Sequence, residues 1–105
     1  MKDFQRIAED FARRLKAKYG KRIERVILFG SVARHESRED SDVDLLVVTP
    51  EPTHDLQWDV ADDSLDLLLH EDVLASAIVF TSEEWKKAQE TAFGRRVRSE
   101  GLALA

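Results

Sequence analysis

A chain of 105 residues has room for one domain, and burying roughly 60–70% of the surface an unfolded chain of this size exposes allows one hydrophobic core. Apolar residues at 43% and charged residues at 35% exclude a disordered chain, and the lack of cysteine excludes disulfides and thiolate zinc sites. A formal net charge of −5 argues against direct binding to nucleic acid through neutralised phosphates, and no apolar run approaches the ~20 residues that span a bilayer.

Met1 leads into a charged, periodic segment rather than the short apolar run of a secretion signal, so a single cytoplasmic domain over residues 1–105 is expected. Residues 2 to 19 read as a helix, with Phe4, Ile7, Ala8, Phe11 and Leu15 on one face. Arg13, Arg14, Lys16 and Lys18 suit its C-terminal dipole, and Gly20 can stop it. Arg25 to Phe29 is a short buried strand that ends at Gly30-Ser31. Residues 32 to 41 are polar, with space for about one helical turn. Asp42 to Thr49 is a second strand, buried on both faces from Leu45 and closed by Pro50 and Pro52.

Leu65 to Leu69 can be read as a strand, but the Leu, Ala, Asp and Gln content from His54 to His70 favours a helix capped by Thr53. Val73 to Thr81 is the better strand, a continuous apolar run rich in β-branched residues. Thr81 followed by Glu84 is a capping-box signal for a helix from Ser82 to about Glu90. A last short helix near Ala92 to Glu100 stops at Gly101, before an apolar tail containing Leu102 and Leu104. Together these elements form an α/β domain around a small three-stranded sheet.

Two features carry chemistry. Gly30-Ser31 closes a strand with no β-carbon in the way of a ligand, a hydroxyl, and outward-pointing amides, all suited to phosphate oxygens. Asp42 and Asp44 are one residue apart, so on a strand their carboxylates share a face, with α-carbons about 6–7 Å apart. At an effective dielectric near 20 their repulsion is roughly 2–3 kcal/mol, which a divalent cation reverses. Mg²⁺ favours one or two carboxylates completed by phosphate oxygens and water. Either feature alone is common: a strand-to-turn junction, or a solvated acidic turn near Glu36, Glu39 and Asp40.

Ten residues separate Ser31 from Asp42, giving G-S-x10-D-x-D. This pattern resembles the signature of the polymerase-beta-like nucleotidyltransferase superfamily, and the chain is similar to its short branch, the minimal nucleotidyltransferases. The flanks agree: an apolar strand before Gly30, Ala33-Arg34 after Ser31, Ser41 before Asp42 and DLLVV from Asp44, and Arg98-Ser99-Glu100-Gly101 near the end. The resemblance implies a small mixed sheet flanked by helices, with Gly30, Ser31 and Arg34 at the triphosphate and Asp42 and Asp44 as catalytic, metal-binding residues for Mg²⁺. Arg34 has a second reading, as support for the loop. The implied activity is transfer of a nucleoside monophosphate, AMP from ATP, to a hydroxyl on a protein. The implied partner is a helical HEPN-type protein, with this chain as antitoxin; self-association is also open.

Two departures qualify the resemblance. His35 stands where minimal members often have Gly, which alters the turn rather than the metal ligands. Active transferases of this fold usually carry a third acid on the third strand, and Val73 to Thr81 has none; Asp66 serves only if residues 64 to 70 are a strand. The missing acid supports an alternative, a nucleotide-binding module that silences its partner by contact alone. A third reading, a fragment of a small-molecule transferase, needs a substrate domain from another chain. His35, His54 and His70 lack metal-ligand spacing. Trp58 and Trp85 are expected to pack against core or a partner. Lys86, Lys87, Arg95, Arg96 and Arg98 form a basic stretch suited to solvent, an acidic partner or phosphates.

Overall fold

The computed structural model describes residues 2–38, 40–50 and 54–105. Glu39, Pro52 and Thr53, the last an expected helix cap, lie outside the described residues. Helix α1 (Phe4–Tyr19) begins at Asp3, whose carboxylate accepts from the Arg6 amide at 3.1 Å, and ends at Gly20, whose φ of 57° lets its N–H turn back to the Lys16 carbonyl. Strand β1 (Arg25–Phe29) leads into a single-turn helix, α2 (Gly30–Ala33). Strand β2 (Val43–Thr49), helix α3 (His54–Glu71) and strand β3 (Ala75–Thr81) follow. Helices α4 (Ser82–Ala88) and α5 (Ala92–Glu100) precede a two-residue strand, β4 (Leu102–Ala103).

The sheet runs β3-β2-β1-β4, with β2 antiparallel to β1 and parallel to β3. It is the expected mixed sheet with one strand more than expected. The extra strand comes from the apolar tail, where Leu102 and Ala103 pair antiparallel with Leu28 and Ile27. Two residues are too few to show a strand period, so the pairing is set by the tertiary fold. The parallel β2–β3 pair needs a long crossover, and α3 provides it; this is why residues 54 to 70 are helical and Asp66 is not on a strand.

The two sheet faces pack differently. Val26, Leu28, Val43, Leu45, Val47 and Ala75 point to one side, against Phe4, Ala8, Phe11 and Leu15 of α1 and Leu56, Val60 and Leu67 of α3. On the other side Ile27, Leu46 and Val48 pack with Trp85 of α4 and Val97 of α5. The Thr81–Glu84 capping box that opens α4 forms in both directions, at 3.0 Å and 2.8 Å. Tyr19 joins α1 to α3 by donating to Asp63 at 2.5 Å, and Lys18 reaches the same carboxylate at 2.7 Å. Burial, then the Asp63 contact, pushes the Tyr19 phenol up to about 12.

Candidate active site

The site begins in the pairing of β1 with β2. Phe29, the last residue of β1, lies opposite Asp44, so the chain leaves the sheet beside that carboxylate. Gly30 makes the exit at φ 79°, a conformation that L side chains rarely adopt. A β-carbon there would overlap the Asp44 carboxylate and lie 3.3 Å from its Cγ. Gly30 is therefore fixed both by its backbone angle and by the approach of Asp44.

Asp44 is half-buried on the face shared with Ile27 and Leu46, while Asp42 sits exposed just ahead of β2. Burial raises the Asp44 carboxyl above the ordinary carboxylate range, Asp42 raises it further, and Arg34 opposes the shift. The two acids thus feel each other, although Asp42 precedes the strand rather than standing on it as expected. Hydrogen bonds fix the flanking backbone: the Val43 amide donates to the Leu74 carbonyl at 2.9 Å, and the Arg38 amide donates to the Ser41 side-chain Oγ at 2.6 Å.

Ser31 stands in the first turn of α2, and its hydroxyl makes no hydrogen bond among the described residues, while its carbonyl accepts from the Glu36 amide at 2.9 Å. Arg34 caps α2 with its guanidinium on Glu100 at 3.1 Å and on Glu36 at 3.3 Å. Its second reading, support for the loop, is the one these contacts match, although its charge still reaches Asp44. His35 adopts φ 59°, a left-handed conformation that glycine would take more easily.

No acid on β3 joins the pair. The residue beside Asp44 in the parallel register is Ser76, exposed on the same face. Asp66 lies across the sheet on α3, lining a cleft of about 160 Å³ with Phe11, Arg14, Leu15, Lys18 and Asp63. Among the described residues no three acids or histidines converge on one point. What the sequence did not reveal is an apolar shelf beside the acids. It is the Phe29–Phe93 pair: Phe93 of α5 meets Phe29 edge-on at 5.6 Å, and Phe29 lies opposite Asp44 in the sheet. Its one visible signal was an aromatic residue directly before Gly30.

The donor set fits Mg²⁺ bound to a triphosphate better than a protein-only metal cage. The Asp44 carboxylate lies against the bare backbone of Gly30 and feels the charge of Asp42, and with no third acid or histidine beside them among the described residues the remaining ligand positions fall to phosphate oxygens and water.

Residues 8–99 match the family described as "Nucleotidyltransferase domain". A relative from Methanocaldococcus jannaschii, "Putative protein adenylyltransferase MJ0604", is 39% identical over 101 residues, spanning 95% of this chain and 96% of that protein. Among solved structures, a toxin–antitoxin with AMP-PNP superposes with a TM-score of 0.67 at 18% identity, over 92% of this chain and 72% of that one. A tri-AMPylated Shewanella oneidensis HEPN toxin in complex with its MNT antitoxin gives 0.60 at 18% identity, over 96% of this chain and 71% of that one. At such identities the two structures speak for the fold alone. The sequence match along nearly the whole chain, over strands that bring Gly30 against Asp44, places this protein in the nucleotidyltransferase domain family.

Proposed function

We propose that this nucleotidyltransferase moves AMP from ATP to a hydroxyl on a partner protein, and that it serves as the antitoxin of a helical HEPN-type toxin. The observation that carries the reading is the Asp44 carboxylate set against the bare backbone of Gly30, with Asp42 close enough to raise its proton affinity. The name of the M. jannaschii relative, and solved neighbours that hold AMP-PNP or an AMPylated toxin, support the choice of nucleotide and acceptor.

Asp42 and Asp44 would hold Mg²⁺, which when bound supplies the positive charge that neutralises the triphosphate. Gly30 admits a phosphate close to the backbone, and the unengaged Ser31 hydroxyl donates to a phosphate oxygen. Arg34, braced by Glu36 and Glu100, adds positive potential behind the pair. The acceptor oxygen forms a bond to the α-phosphorus as the bond to pyrophosphate breaks. With Ser76 beside Asp44, no β3 carboxylate takes the acceptor's proton, so it passes to water or to a base on the partner.

Labelled ATP, Mg²⁺ and the product of the adjacent gene test this directly. Label is expected to move to the partner, and Asp42→Ala/Asp44→Ala is expected to reduce transfer at least about 10²-fold. Equal labelling by wild type and double variant would falsify the assignment of the site. If the double variant still silences its partner, contact rather than AMP transfer is the antitoxin mechanism.

A further inference from the structure

Helix α3 is apolar on two opposite sides. Its inner side buries Leu56, Val60 and Leu67 against the sheet. Its outer side leaves Trp58 at 73%, Leu65 at 52% and Leu69 at 71% exposure. Spacings of seven and four place these three in one stripe. A surface helix needs only one apolar side, and α1 on the same sheet face follows that rule, turning Arg6, Arg13, Arg14 and Lys18 outward. The outer stripe of α3 adds nothing to this domain's own core.

Charge indicates what covers the stripe. Asp55, Asp59, Asp62 and Asp66 recur at spacings of four, three and four, forming an acidic row along one flank. Helix α3 has six carboxylates and no Lys or Arg, whereas the whole chain carries −5, so the rest of the molecule is at +1. Two copies meeting through this face would set the four carboxylates of the row against four more. Nucleic acid and anionic lipid are repelled in the same way. A cationic helix with an apolar stripe satisfies both features at once.

The position matters too. Helix α3 runs back to the start of β3, where exposed Leu74 accepts the backbone bond from Val43, the residue between Asp42 and Asp44. The Leu69 end of the stripe therefore lies at the end of the sheet that carries the two acids.

We infer that the outer face of α3 is a docking surface for a basic amphipathic helix of a protein partner, with Trp58, Leu65 and Leu69 as its apolar anchors and the acidic row as its charge guide. The surface would bring a bound partner towards Asp42 and Asp44; this last step rests on the proposed function, whereas the docking itself does not.

The probe is a synthetic helical peptide of about 18 residues with Leu along one stripe and Lys and Arg beside it, measured by calorimetry against the intact chain. Binding is expected to weaken at least tenfold in Leu65→Lys/Leu69→Lys, and also in Asp55→Asn/Asp59→Asn/Asp62→Asn, with a shallower salt dependence in the latter. A matched peptide with Glu in place of Lys and Arg is expected not to bind. All these positions are at the surface, and circular dichroism checks that each variant folds. No uptake of the cationic peptide, or uptake unchanged in the Leu variant, overturns the inference. So does sedimentation showing that the stripe pairs two copies of this chain. ATP binding, measured on the same variants, keeps the tests apart: docking can fail while ATP uptake persists, and the reverse.

Discussion

Asp44 and Leu45 are adjacent in β2 but stand on opposite faces of the sheet. Leu45 points into a side where α1 and α3 exclude water, among Leu28, Val43 and Val47, all at 0% exposure as it is. Asp44 points to the side where α4 and α5 cover only part of the sheet. Leu46 and Val48 are sealed by Trp85 and Val97, but towards Asp44 the surface opens over Ser76 and Ile78. The contrast shows how a small domain keeps two like charges close together. Packing on one face supplies the stability that the other face spends on holding Asp44 half-buried beside Asp42.

Truncations on the two faces give the largest expected difference. Leu45→Ala leaves a cavity in the sealed side and should cost about 2–5 kcal/mol. Ile78→Ala, at 37% exposure on the open side, should cost under about 1 kcal/mol. Urea denaturation with a fixed slope measures both. Equal losses would mean that the open face is as much a part of the core as the closed one.

A smaller effect, with the opposite sign, is expected at Asp44. Its carboxyl binds a proton more tightly in the folded chain than in the unfolded one, through burial and then through Asp42. Ionisation therefore opposes folding: the wild type is helped while the carboxyl stays protonated, and that help is lost as pH rises through the raised carboxylate range. Without metal or nucleotide, Asp44→Asn should melt higher than wild type at pH 7, and the gap should close as pH falls through that range. The same variant should lose AMP transfer. A lower melting temperature for Asp44→Asn at neutral pH would show that the carboxylate is satisfied by the fold rather than strained by it.

The contrast between the faces also explains what was legible in the sequence. The buried core announced itself: the α1 stripe, RVILF and the DLLVV run are periodic or continuous because burial demands it, whereas the β3 run is continuous although Ser76 and Ile78 are exposed. The G-S-x10-D-x-D spacing pointed to the candidate site because its two halves lie at the paired ends of consecutive strands, β1 and β2. The β4 pairing, the Phe29–Phe93 contact and the Arg34–Glu100 pair join residues 64 or more positions apart, and nothing in either local sequence marks the partner. The outer stripe of α3 was hidden by its inner one, since apolar residues on both sides blur the helical period.

The smallest effect concerns the loop that links the site to the rest of the open face. His35 holds φ 59° directly after Arg34, with its amide bonded to the Val32 carbonyl at 3.2 Å. For a residue with a β-carbon this conformation costs roughly 1–2 kcal/mol, while glycine returns roughly 0.5–1 kcal/mol of that through its looser unfolded chain. His35→Gly should therefore stabilise the domain by about 0.5 kcal/mol, a rise in Tm of about 2–4 °C. Because Arg34 takes its partners from Glu36 and Glu100 rather than from His35, the substitution should leave nucleotide affinity unchanged. Calorimetric melting and ATP titration measured side by side separate the outcomes. A gain in Tm with unchanged binding marks His35 as a strained spacer, whereas weaker binding would show that the imidazole works at the site itself.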